Sequence, residues 1–126
     1  MAKVLLVDAN QEHVRLSDAA LPRPEFQVDS VGSGREALMR TSDGEYDIIV
    51  IGHPLPDIDG VELTVRLRRR GCHVKVVVVS DRGDPGLSLK AMRAGACDFI
   101  VKTYRYYEQL ADRLRENLEY CDPCKI

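Results

Sequence analysis

The stretch YDIIVIGHPLPDIDG, residues 46–60, decides how the rest of the chain is read. Residues 48–51 are a β-branched apolar run bounded by polar residues and by Gly and Pro. That is the pattern of a strand buried on both faces of a parallel sheet. The run ends at Gly52, Pro54 and Pro56 mark a loop, and Asp59-Gly60 opens a helix. In an open α/β sheet, ligands and chemistry gather beyond the carboxyl ends of the strands. Residue 52 therefore sets what this strand can offer, and glycine offers no nucleophile.

Similar apolar runs begin at Val4, Phe26, Val76 and Phe99, each followed by a helical pattern. The spacing predicts five βα units. Residues 4–7 form the first strand and 11–21 the first helix, which Pro22 and Pro24 end. Residues 26–31 alternate and read as an edge strand. Ser33 and Glu36 have capping-box spacing for a second helix running to about Thr41, and Asp59 with Glu62 repeats it for the third. Leu63 and Leu67 mark the buried face of that third helix, and Gly71 its end. The arginines at 66, 68, 69 and 70 read as a solvated cationic end that complements the helix dipole. Residues 76–79 are the fourth strand. Asp84 with Pro85 starts a fourth helix that Gly95 stops, and residues 99–101 are the fifth strand. Tyr107, Leu110, Ala111, Leu114 and Leu118 then share one face of a last helix. Strands alternating with helices require a parallel sheet with right-handed crossovers and helices on both sides, an α/β fold.

With 126 residues the chain is one domain, read as 1–120 with a tail at 121–126. A net charge of −2 points to neither nucleic acid nor a membrane as partner. Residues 1–7 do not read as a signal peptide, no segment has transmembrane length, and a cytoplasmic location is expected. The cysteines at 72, 97, 121 and 124 are too few for a disulfide scaffold. Cys97 reads as a small buried residue. Cys121 and Cys124 form a C-x-x-C pair that follows a helix rather than starting one, the wrong end for a low-pKa redox thiol.

The quoted stretch, with Asp8 after the first strand, Ser80 after the fourth and Lys102 after the fifth, resembles the receiver domain of two-component response regulators (the CheY-like, flavodoxin-like fold). The resemblance implies strand order 2-1-3-4-5 and a phosphorelay signalling module rather than an enzyme. In that family an acidic pair and an acceptor Asp hold Mg²⁺, while a hydroxyl and a lysine contact the phosphoryl group. Phosphoryl transfer needs such positioning and charge neutralisation. Here Ala9 replaces the second acid and Gly52 the acceptor. The family's three carboxylates and one lysine sum to about −2, whereas Asp8 and Lys102 sum to about zero, so Mg²⁺ binding is expected to be lost or weak. Asp8 and Lys102 are expected to pair, directly or through water or Ser80, because a buried ammonium without an anion is costly.

The resemblance also assigns Phe99 to the place of a switch aromatic, and Thr103 to that of a proline preceded by a cis bond. A non-proline cis bond costs roughly 3 kcal/mol, so this one is expected to be trans or strained. Tyr104, Arg105 and Tyr106 read as an interaction surface, and a homodimer through the fourth helix, fifth strand and fifth helix is a further expectation. The implied partners are a protein, or a fused output or sensor domain. Two alternatives stand beside this reading. One is phosphate acceptance by an unusual residue: Asp57 in an exposed loop, Asp59, read first as a helix cap, or His53. The other is a small-ligand or anion sensor using the space that Gly52 leaves.

Overall fold

The computed structural model describes residues 1–41 and 45–120, so residues 42–44 and the Cys121–Cys124 pair lie outside the described residues. Five strands, β1 (Ala2–Val7), β2 (Phe26–Val31), β3 (Ile48–His53), β4 (Lys75–Ser80) and β5 (Asp98–Val101), alternate with five helices. The helices are α1 (Gln11–Ala20), α2 (Gly34–Arg40), α3 (Gly60–Arg69), α4 (Pro85–Ala94) and α5 (Tyr106–Tyr120). All four strand pairings are parallel and the order is 2-1-3-4-5, as the resemblance implied. β2 is an edge strand, as its alternation implied. No helix among the described residues is long and apolar enough to cross a membrane.

The unbroken apolar character of the inner strands follows from double coverage. Leu5, Val7, Ile49, Ile51, Val76 and Val78 point to one side, where Ala37, Leu63, Leu67 and Ala91 of α2–α4 meet them. Val4, Leu6, Ile48, Val50, Val77 and Val79 point to the other, against Leu110 and Leu114 of α5 and Leu21 at the end of α1. Leu63 and Leu67 are completely buried, worth about 1.5–3 kcal/mol each on burial. A polar substitution at either would lose that and leave an unpaired group.

Two expectations are corrected. β3 does not end at Ile51: its ladder continues with Gly52 opposite Val79 and His53 opposite Ser80. Backbone pairing with β4 needs no side chain, so the loss of apolar residues at Gly52 did not mark the strand's end. Ser33 and Asp59 do cap α2 and α3, accepting from the backbone N–H groups of Glu36 and Glu62. The reciprocal half of each capping box is absent, however. Glu36 reaches the N–H of Gly32 at 3.5 Å, and Glu62 pairs with Arg66 at 3.1 Å.

Two of the helices, α3 and α4, are closed by glycine at their carboxyl ends. Gly71 and Gly95 have φ of 79° and 108°. In each, the glycine N–H and the next residue's N–H bond back to the last turn: Gly71 to Arg68 and Cys72 to Leu67, Gly95 to Met92 and Ala96 to Ala91. This is the Schellman arrangement, and only glycine enters it without a Cβ penalty. The arginine run is not simply solvated. The Arg68 guanidinium donates to the carbonyls of Cys72 (3.0 Å), Val74 (2.7 Å) and Gly95 (2.8 Å), and Arg70 donates to the carbonyl of Leu38. Cys97, expected to be buried, is half-buried.

Candidate functional site

The carboxyl ends of β1, β3, β4 and β5 bring Asp8, Gly52, Ser80 and Lys102 together, with Ala9 beside them. Asp8 is held by its own backbone, whose N–H bonds the carbonyl of Val31. Its Oδ1 accepts from the N–H of Asn10 at 2.9 Å, and its Oδ2 accepts from Lys102 Nζ at 3.1 Å. The acid–lysine pair is thus direct, as expected, with side-chain exposures of 20% and 11%. Ser80 takes no part in it; its Oγ accepts from the N–H of Arg82.

A third member was not foreseen. Nδ1 of His13 lies 2.8 Å from Lys102 Nζ and 3.7 Å from Asp8 Oδ2. An ammonium only donates, so Nδ1 accepts and the ring proton sits on Nε2. Asn10, the N-cap of α1, accepts from the N–H groups of Glu12 and His13 and so sets the turn that aims His13 at the pocket. His13 lies 89 residues from Lys102 in sequence, and nothing in its neighbours distinguished it.

The space beside Gly52 is filled rather than open. A Cβ at residue 52 would lie 2.8 Å from Asp8 Oδ2, 3.0 Å from Asp8 Cγ and 3.2 Å from the carbonyl oxygen of Val7. The Asp8 carboxylate leans into the volume that a side chain on β3 would occupy. Beneath it remains only about 10 Å³, bounded by Val14, Ser17, Lys102 and Tyr106, roughly the least that holds one water. Above it is an open depression of about 200 Å³, whose mouth adds His53, Pro54 and Asp81.

Do these residues suit Mg²⁺? That ion wants a near-octahedral oxygen shell anchored by carboxylates. Asp8 already spends both oxygens on Asn10 and Lys102, and positions 9 and 52 carry no side-chain ligand atom. Among the described residues no group of three or more His, Cys, Asp or Glu side chains is placed to hold a metal ion. The donor set does not fit.

Tyr106 is the clearest misplacement. Expected on an interaction surface, it is 2% exposed. The buried stripe of α5 starts one residue earlier than read, at Tyr106, Leu110 and Leu114, with Tyr107 only half-buried beside it. The Lys102 ammonium stands 5.7 Å from the Tyr106 ring centroid, and Tyr106 meets Tyr107 edge-on. Burial pushes the Tyr106 phenol above the ordinary tyrosine range, with a hydrogen bond from Ser17 opposing. Tyr104, by contrast, is 93% exposed, and Arg105 is exposed and pairs with Glu108 at 3.2 Å. Phe99 is half-buried against the α2–α4 side of the core. The Lys102–Thr103 peptide is trans; the cis peptides precede Pro24 and Pro54.

The candidate alternative acceptors all have structural work. Asp59 caps α3. Nδ1 of His53 accepts from the N–H of Gly60 at 3.3 Å, adding to that cap. Asp57 is exposed, yet its carboxylate accepts from the N–H groups of Gly34 (3.0 Å), Arg35 (2.9 Å) and Ile58 (3.0 Å), tying the β3–α3 loop to the start of α2. A Cβ on Gly34 would lie 2.5 Å from Ile58 Cγ1, so a larger residue there would have to displace the Ile58 side chain. The Arg35 and Gly34 amides hold the Asp57 carboxyl below the usual carboxylate range. Its folded pKa is therefore depressed, and its contribution to stability is present above the unfolded value and lost as pH falls through the folded one. Urea midpoints should accordingly drop on acidification below about pH 4, and Asp57→Asn should flatten that limb.

A parallel sheet in the order 2-1-3-4-5 with helices on both faces is the flavodoxin-like architecture. The chain belongs to the response regulator receiver domain family, whose model matches residues 4–115. It is 33% identical over 113 residues to the transcriptional regulatory protein TcrA of Mycobacterium tuberculosis, covering 90% of this chain and 44% of that protein. With the transcriptional regulatory protein PcoR of Escherichia coli it shares 28% over 111 residues, covering 88% and 49% respectively. The chain thus spans less than half the length of these relatives. Among solved structures it is similar to a CheY-like receiver domain protein from Methanospirillum hungatei (TM-score 0.85, 20% identity, 94% of each chain). It is also similar to the BeF3-activated DrrB receiver domain (TM-score 0.82, 24% identity, 94% of this chain and 98% of that one). These two likenesses concern the fold.

Proposed function

We propose that this receiver domain works without phosphorylation and without Mg²⁺, passing its signal by contact with a protein partner or a fused domain. One observation carries the reading: the Asp8 carboxylate occupies the volume beside Gly52 and is neutralised there by Lys102. The resemblance assigns residue 52 to the acceptor, so the acceptor's space is taken by an acid already engaged on both oxygens. Asp57, Asp59 and His53 are each engaged by backbone N–H groups at the starts of α2 and α3. The contact surface on this reading includes Tyr104 and Arg105, together with Leu89 and Met92 of α4, which are 51% and 45% exposed. Large side chains with both apolar and polar atoms are the kind enriched at interfaces.

The test is to treat the native chain with acetyl phosphate, and separately with beryllofluoride, each with Mg²⁺. Intact mass should be unchanged and the amide resonances of Asp8, Gly52 and Lys102 should not shift. A mass gain of one phosphoryl group would overturn the proposal.

A further inference from the structure

The helices divide by charge in a way that the net charge of −2 conceals. α2, α3 and α4 lie together on one face of the sheet and, with Arg70 at the end of α3, carry eight Arg or Lys against two carboxylates. α1 and α5, on the other face, carry three against six. The bond from Arg70 to Leu38 draws the ends of α2 and α3 together, and the bond from Arg68 to Gly95 does the same for α3 and α4. Arg69 and Arg93, in the last turns of α3 and α4, are exposed and have no carboxylate partner within 4.0 Å among the described residues; the same is true of Arg35 and Lys90. On α5, Glu108, Asp112, Glu116 and Glu119 recur at i, i+4, i+8 and i+11 and are all exposed, opposite the buried Leu110 and Leu114.

We propose that the cationic α2–α3–α4 face of one copy docks on the acidic α5 stripe of a second copy, head to tail. The dimensions agree. Eleven residues of helix span about 17 Å, and three helices side by side at 8–10 Å span about 20 Å. A nucleic acid or other polyanion would meet the cationic face but be repelled by the acidic stripe, which it would leave without a role. A second copy satisfies both. Because the two surfaces differ, the contact is heterologous and can repeat. Its ion pairs are solvent-exposed, so it is weak and screened by salt. The inference is independent of whether the pocket takes phosphate, and either can fail alone.

Sedimentation equilibrium of the native chain tests it, between about 1 M and about 0.01 M salt, where the screening length grows from about 3 to about 30 Å. The weight-average mass should rise from that of one chain to at least about twice that value at low salt. Arg69→Glu/Arg93→Glu and Asp112→Lys/Glu116→Lys should each be monomeric alone. Mixed, they should associate again, since the native cationic face of one meets the native acidic stripe of the other. Restoration on mixing also proves that both variants are folded. Should a charge-reversed chain fail to fold, Arg69→Gln/Arg93→Gln should still show the loss. A native chain that is monomeric at every salt concentration would overturn the proposal. So would variants that do not complement on mixing, or a monomeric chain that binds duplex DNA through Arg69 and Arg93.

Discussion

A chain carrying both Ala9→Asp and Gly52→Asp is expected to gain one phosphoryl group from acetyl phosphate in the presence of Mg²⁺. The native chain should gain none and each single variant less. A Cβ at residue 52 would crowd Asp8, with 2.8 Å to Oδ2. The 3.2 Å contact to the Val7 carbonyl oxygen requires the backbone to give by a few tenths of an ångström, while the two shortest contacts are to the Asp8 side chain, which can rotate away. The move breaks its bond to Lys102 and places carboxylates side by side. Without a cation their repulsion should destabilise the double variant relative to the native chain. With Mg²⁺ at a hundredfold excess over its dissociation constant, binding to the folded state should return about 2.7 kcal/mol. Intact mass reads the first effect, and thermal melts in Mg²⁺ against EDTA read the second. Equal melts in both would show that the two aspartates do not rebuild a cation site.

Arg68→Ala is expected to cost about 2–4 kcal/mol, among the largest losses for a residue outside the apolar core, and Arg68→Lys should recover little of it. The guanidinium joins three carbonyls from two separate loops, and hydrogen bonds from a charged donor are worth about 1.5–3 kcal/mol each when none is replaced by water. Partial access of water to the carbonyls brings the total below the simple sum. A lysine has one nitrogen and cannot span the fork. The cost should be read from urea midpoints at constant slope. A loss under about 1 kcal/mol would return Arg68 to the solvated end that its charge pattern suggested.

That pattern shows where sequence reading reached its limit. The five strands, their order, the glycine helix ends and the Asp8–Lys102 pair follow from local signals or from the receiver resemblance. Each depends on residue type and near-neighbour spacing. What escaped depends on where distant segments meet. His13 faces Lys102 only because the lysine side chain reaches from the end of β5 back to Asp8 at the end of β1, beside the first turn of α1, and Arg68 meets Gly95 only because the ends of α3 and α4 adjoin. Asp57 looked like an idle loop acid because its partners, the amides at the start of α2, have no side-chain signature. Tyr106 was misplaced by one residue at a helix start, where a single step turns the side chain by about 100°.

The extension of β3 to His53 has a mechanical consequence. Since Gly52 and His53 are laddered to β4, this part of the depression's floor is strand rather than free loop. The groups with rotatable bonds to offer an incoming molecule are then the side chains of Asp8, His13 and Lys102 at its rim.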